Sequence, residues 1–149
     1  VGLMSVGRED AKGSRLTIEA FSKLKELDIN FIGNIEGSDM VSGYADVVVA
    51  DGFLGNVLLK NTEAAGKKAI EIIKSLGVLS ADTMDIIKAA LLSKFDFNSR
   101  GAATFLGTKK PVVKMHGCAN EDTVVASIEQ ILRLSKNDFS TELEKALLA

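Results

Sequence analysis

Four residues in this chain are suited to handling a charged group next to a carbonyl: Lys12, Asp51, Asn56 and His116. The ammonium of Lys12 can hold an anion, and the amide of Asn56 can donate to an oxyanion or a carbonyl oxygen. Asp51 can orient a neighbour or accept a proton. His116, the sole histidine, can exchange protons near neutrality or donate a hydrogen bond. Each keeps company with glycine: Gly13 follows Lys12, Gly52 and Gly55 lie between Asp51 and Asn56, and Gly117 follows His116. A glycine allows a backbone approach that a Cβ would block. In the DGFLGN stretch, the N–H groups of a following helical turn would point at an anion, which both they and the helix dipole favour.

Every one of these residues also has a plainer use. Lys12, in a charged loop, can simply be solvated; Asp51 can brace its own turn; Asn56 can satisfy the start of a helix; and His116 can be a structural histidine at a strand end. Cys118 stands two residues from His116, which does not make the two a catalytic pair. The chain has neither a G-x-x-x-x-G-K-[ST] loop nor a G-x-G-x-x-G after a strand, so nucleotide binding is not signalled. One His, one Cys and no clustered carboxylates do not make a zinc site. The expectation is a site without metal or cofactor.

The elements that must position these residues read as alternating strands and helices. ADVVVADGFLGNVLLK, residues 45–60, runs a strand at 47–50 into a glycine-bearing turn and then a helix. Its continuous valine run predicts a strand buried on both faces, as in parallel sheets. Residues 1–5 predict a first strand. Ser14 can cap a helix carrying Leu16, Ala20, Phe21, Leu24 and Leu27, and residues 29–32 predict a second strand. A polar link with Gly37 and Gly43 joins it to the third. The helix after Gly55 carries Leu58, Ala65, Ala69, Ile72, Ile73 and Leu76, and Gly77 ends it. A further helix over 82–95 shows an apolar face so wide that the domain itself, a second copy or a membrane surface must cover it. Then come a fourth strand at 112–115, a helix carrying Val124, Val125, Ile128, Ile131 and Leu132, and a closing amphipathic helix over Phe139–Leu148. The order favours an open α/β sheet. Three loops follow strands, at 7–14, 50–56 and 116–120, and in such sheets ligands bind beyond the carboxyl ends of the strands.

Composition narrows the partners. With 18 basic and 20 acidic residues interspersed for a net charge of −2, no basic stripe offers itself to nucleic acid. No apolar run reaches the roughly 18 residues of a membrane span, and a single cysteine allows no internal disulfide, so the cytoplasm is the expected compartment. At 149 residues the chain makes one domain. It opens on Val1 with a strand-like VGLMS, so we expect a piece of a longer protein, with removal of the initiator or of a tag as the alternative.

The runs INFIGNIEGSDMVSGYADVVVADGFLGNVLLK and TFLGTKKPVVKMHGCAN, with the opening VGLMSVGREDAKGSRL, resemble the PlsX-type fatty acid and phospholipid synthesis proteins, the bacterial acyl-ACP:phosphate acyltransferases. The resemblance spans the chain but only the carboxyl-terminal half of that family's length; the amino-terminal half, with its D-x-M-G-G-D segment, is missing. It implies attack of inorganic phosphate on the thioester of acyl-ACP, giving acyl phosphate and free acyl carrier protein. It also implies a three-layer α/β/α fold with a mostly parallel sheet, like the isocitrate and isopropylmalate dehydrogenases, in a homodimer peripheral to the membrane. Position by position, Lys12 and Gly13 match the family's K-G; Asp51, Gly52, Gly55 and Asn56 match D-G-F-x-G-N; His116 and Gly117 match H-G. Ser14 stands where asparagine is usual, Arg100 where one of two glycines is usual, and Cys118 where serine is common. The acidic carrier would dock on lysines, with Lys67, Lys68, Lys74, Lys109 and Lys110 as candidates. Two alternatives stay open: a phosphate acetyl- or butyryltransferase using acyl-CoA, and a non-catalytic dimerisation and carrier-binding half.

Overall fold

The computed structural model describes residues 1–95, 102–115, 117 and 119–148, apart from the side chains of 147 and 148. The described residues form a mixed α/β protein with a small parallel sheet and six helices. They divide into two units, Val1–Lys60 and Asn61–Ala149, the boundary falling inside one long helix.

In the first unit, strand β1 (Gly2–Met4) lies between β2 (Asn34–Ile35) and β3 (Val48–Val49), all three parallel. Leu3 pairs with Asn34 on one side and Val49 on the other. Leu3, Met4 and Ile35 form the core with Phe21. Gly2 makes room for it: a Cβ there would stand 2.9 Å from the side chain of Ile35. Helix α1 (Arg15–Lys25) begins at its Ser14 cap, whose Oγ accepts from the N–H of Thr17, and its Phe21 ring meets Phe31 edge-on at 5.3 Å.

Three expectations need correction here. The second strand lies at Asn34–Ile35, not at 29–32. Ile29 and Phe31 curl the backbone, each donating its N–H to the carbonyl two residues back, and Phe31 packs on Phe21 instead of entering the ladder. The third strand is not buried on both faces: Val47 and Val49 are 54% and 36% exposed, and among the described residues β3 pairs with β1 alone. The polar link holds a short helix, α2 (Gly37–Ser42), which ends at Gly43 in the left-handed region (φ 71°). Helix α3 (Gly52–Ser75) then follows β3 and runs past the boundary.

The second unit holds the rest of α3, α4 (Ala81–Phe95), a hairpin of β4 (Ala103–Phe105) and β5 (Val112–Lys114), α5 (Glu121–Lys136) and α6 (Phe139–Leu148). Gly66 of α3 lies against Phe95 of α4, so closely that an added Cβ would come within 2.5 Å of the Phe95 Cβ. The predicted fourth strand does not extend the parallel sheet: β5 pairs antiparallel with β4, a strand the sequence pattern did not reveal. Gln130 of α5 fastens the hairpin, its amide exchanging hydrogen bonds with the backbone of Ala102 at 2.9 Å in both directions.

Candidate functional site

Two of the expected loops leave the same end of the sheet. β1 and β3 are adjacent and parallel, so the turn after β1, which carries Lys12, and the turn after β3, which carries Asp51, both emerge at the carboxyl edge. That edge is where an open parallel sheet receives ligands. Lys12 is exposed and its ammonium is in no ion pair among the described residues, while its backbone is fixed: the N–H donates to the carbonyl of Glu9 at 3.0 Å and the carbonyl accepts from the hydroxyl of Ser5 at 3.0 Å. Gly13 follows with φ 113°, and a Cβ on it would meet Thr17 at 2.8 Å and the Ser5 Oγ at 2.9 Å. Both facts require glycine. α1 opens immediately beyond, with no acidic residue in its first turn to compete for an anion.

At the start of α3 the structure assigns the capping role to Asp51. Its Oδ1 accepts from the N–H groups of Phe53 (2.9 Å) and Leu54 (2.8 Å), and its carbonyl accepts from Gly55. The N–H groups of Phe53, Leu54 and Gly55 are thus taken up by the cap. Asn56 is exposed, and its side chain makes no hydrogen bond among the described residues, so it is not what satisfies the helix start. Gly52 and Gly55 have negative φ, and a Cβ would find open space at Gly52 and only an ordinary 3.9 Å contact with Ala50 at Gly55. Neither backbone conformation nor internal packing explains these glycines, although each costs a helix about 0.5–1 kcal/mol relative to alanine. The first turn of α3 presents bare backbone.

Of the remaining candidates, Gly117 is an exposed turn residue after β5 in the second unit, and His116 and Cys118 lie outside the described residues. Among the described residues no group of three His, Cys, Asp or Glu could hold a metal, and no helix is long and apolar enough to cross a membrane.

Sequence reasoning missed the polar residues beneath the rim. Asp39 is buried; it accepts from the N–H of Glu36 at 2.9 Å and from the guanidinium of Arg8, which lies 5.3 Å from the centroid of the Tyr44 ring. The Glu36 N–H, together with Arg8, holds the Asp39 carboxyl below the usual carboxylate range against the opposing pull of burial. The same hydrogen bond and charge raise the Arg8 pKa. Asn34 and Ser5, also buried, reach up to the Lys12 turn. A polar residue ending the apolar run GLM was the available signal for Ser5.

The model of the fatty acid synthesis protein family matches residues 1–142. The chain belongs to that family. Among curated relatives, a phosphate acyltransferase of Bacillus licheniformis is 37% identical over 154 residues, covering 99% of this chain and 46% of the relative. One from Bacillus pumilus is 38% identical, covering 94% of this chain and 44% of the relative, and one from a Geobacillus species is 36% identical, with 99% and 46% covered. This fatty acid synthesis family member thus spans about half the length of the curated relatives it matches.

Proposed function

We propose that the chain is the carboxyl-terminal half of an acyl-ACP:phosphate acyltransferase, which forms acyl phosphate for phospholipid synthesis. The observation that carries this reading is the bare first turn of α3, with Gly52, Gly55 and the free amide of Asn56, at the same sheet edge as the unpaired ammonium of Lys12. Relatives named phosphate acyltransferase supply the reaction class. Lys12 neutralises phosphate and holds it in line with the thioester. A phosphate oxygen bonds to the carbonyl carbon, and the oxygen that becomes negative takes a hydrogen bond from Asn56. Collapse breaks the C–S bond and releases the carrier thiolate, which takes up a proton. Phosphate is already nucleophilic, so positioning and charge stabilisation are the protein's contribution and no acyl-enzyme is needed. Asp51 acts by fixing the turn that displays Gly52, Gly55 and Asn56; Gly13 shapes the Lys12 turn; and Gly117 shapes the turn beside His116.

The same reading takes the parallel β2-β1-β3 sheet as part of a three-layer α/β/α sandwich of the isocitrate and isopropylmalate dehydrogenase kind. It places the protein in the cytoplasm as a homodimer peripheral to the membrane. Exposed Leu76, Val78 and Leu79 between α3 and α4, with Ile86 on α4, support a covering surface there. Exposed Lys67, Lys74, Lys109 and Lys110 are offered to an acidic carrier, whereas Lys68 is paired with Glu71 at 2.9 Å.

Acyl phosphate formation should be assayed with acyl-ACP and with acyl-CoA, using the intact protein and these 149 residues alone. We expect phosphate-dependent turnover of acyl-ACP by the intact protein. A preference for acyl-CoA would install the coenzyme A reading instead, and full activity of the 149 residues would overturn the assignment as half of a longer enzyme.

A further inference from the structure

We propose that Ser5 and Asn34 are positioning residues whose side chains clamp the turn that carries Lys12. Both are buried, at 8% and 5% exposure, where a sheet this small has the most to gain from apolar side chains. Ser5 follows directly on β1, and Asn34 sits in β2 opposite Leu3. Each spends its hydrogen bond on the loop. The Ser5 hydroxyl donates to the carbonyl of Lys12 at 3.0 Å, and the Asn34 Nδ2 donates to the carbonyl of Glu9 at 2.8 Å. That Glu9 carbonyl also accepts from the N–H of Lys12 at 3.0 Å. Both backbone groups of Lys12 are therefore held, one directly by Ser5 and the other through an acceptor pinned by Asn34.

The orientation of the Asn34 amide is set by chemistry. The Glu9 carbonyl can only accept, so the NH2 end must face it, and the Oδ1 is left buried without a donor among the described residues. A buried acceptor without a partner is costly, and an apolar side chain of the same size would avoid that cost. It would also give up the bond to Glu9. What the amide contributes here is its hold on the loop. The clamp matters because a flexible lysine orders an anion more cheaply when the backbone beneath it does not have to be ordered as well.

This inference rests on the proposed binding of phosphate by Lys12, so its test needs one readout that depends on that reading and one that does not. In the intact protein, Ser5→Ala should raise the KM for phosphate about five- to tenfold, the factor expected for one lost neutral hydrogen bond, with the KM for the acyl donor unchanged. Ser5→Thr, which keeps the hydroxyl, should restore it. Asn34→Asp, which keeps the shape and loses the donor, should raise the phosphate KM as well. Independently of catalysis, amide hydrogen exchange over residues 8–13 should quicken in Ser5→Ala and Asn34→Asp. Turnover by the wild type with an unchanged phosphate KM in Ser5→Ala would overturn the clamp and leave the proposed function standing. So would exchange that stays at the wild-type rate. A wild type without phosphate-dependent turnover would overturn the proposed function, and the exchange data would then decide the clamp by itself.

Discussion

Arg8 and Asp39 form an ion pair across the sheet's carboxyl edge in which the carboxylate is 7% exposed and the guanidinium 59%. Asp39 has its pKa held down by the Glu36 N–H and by Arg8, so the folded state binds a proton less readily there than the unfolded chain. Its contribution to stability is present in full above the unfolded carboxylate value of about 4 and is lost as the pH falls through the lower folded value. Urea midpoints should therefore fall more steeply with acid in the wild type than in Asp39→Asn, which should be the less stable protein at pH 7. Parallel acid profiles for the two proteins would remove Asp39 from the account.

Gly13 combines a left-handed φ of 113° with contacts that leave no room for a Cβ. Gly13→Ala should destabilise the protein by about 1–3 kcal/mol, the usual cost of a non-glycine residue held in a sparsely populated backbone region. Equilibrium unfolding measures this directly. A change smaller than about 0.5 kcal/mol, the ordinary range of surface substitutions, would mean that the turn relaxes.

Gly66 should behave in the same sense for a different reason. Alanine is the better helix former by about 1 kcal/mol, but its Cβ would lie 2.5 Å from the Phe95 Cβ and would press α3 against α4. Overpacking of this kind costs about 1–3 kcal/mol, so Gly66→Ala should lower the unfolding midpoint, and Phe95→Gly, which removes that Cβ, should relieve the clash in the double variant.

Gly55→Ala is the contrasting case. The added methyl meets only an ordinary 3.9 Å contact with Ala50, so stability should hold or rise by about 0.5–1 kcal/mol. Acyl phosphate formation should nevertheless drop, because the methyl would cover backbone that the proposed function keeps bare. Stability and activity that fall together would show that the glycine serves packing.

Under the proposed function, Lys12→Ala and Asn56→Ala should each lower kcat/KM about 100-fold in the intact protein, as removal of a single charge-stabilising donor does, with thermal unfolding unchanged. Among the described residues neither side chain makes a hydrogen bond or ion pair, so an unfolding midpoint that moved with activity would point to a structural role.

How much of this was legible beforehand depends on what holds each element. α6 matches the expected Phe139–Leu148 and α4 the expected 82–95 to within one residue, because apolar residues run through both at helical spacing. α2 escaped because hydrogen bonds at its ends, not an apolar stripe, define it: the Asp39 Oδ2 accepts from Glu36, and Gly43 closes the helix. The expected second strand lies too early because Ile29 and Phe31 imitate strand alternation, while the ladder is built on Asn34 and Ile35. In the site, the residue types at 12, 51 and 56 stood out, but the choice between cap and ligand for Asp51 needed two distances from its Oδ1. The clamping by Ser5 and Asn34 is long-range, across 7 and 25 residues, and no local pattern reports it.

The three-stranded order also makes the two walls of the rim mechanically unequal. β1 is hydrogen-bonded on both flanks, so the Lys12 turn springs from the part of the sheet that is hardest to open. Among the described residues β3 is bonded on one flank, through Val48 and Val49, and the start of α3 hangs from it. A ligand seated between them would press on one stiff jaw and one compliant jaw, and any give needed to admit or release it would come from the valine edge.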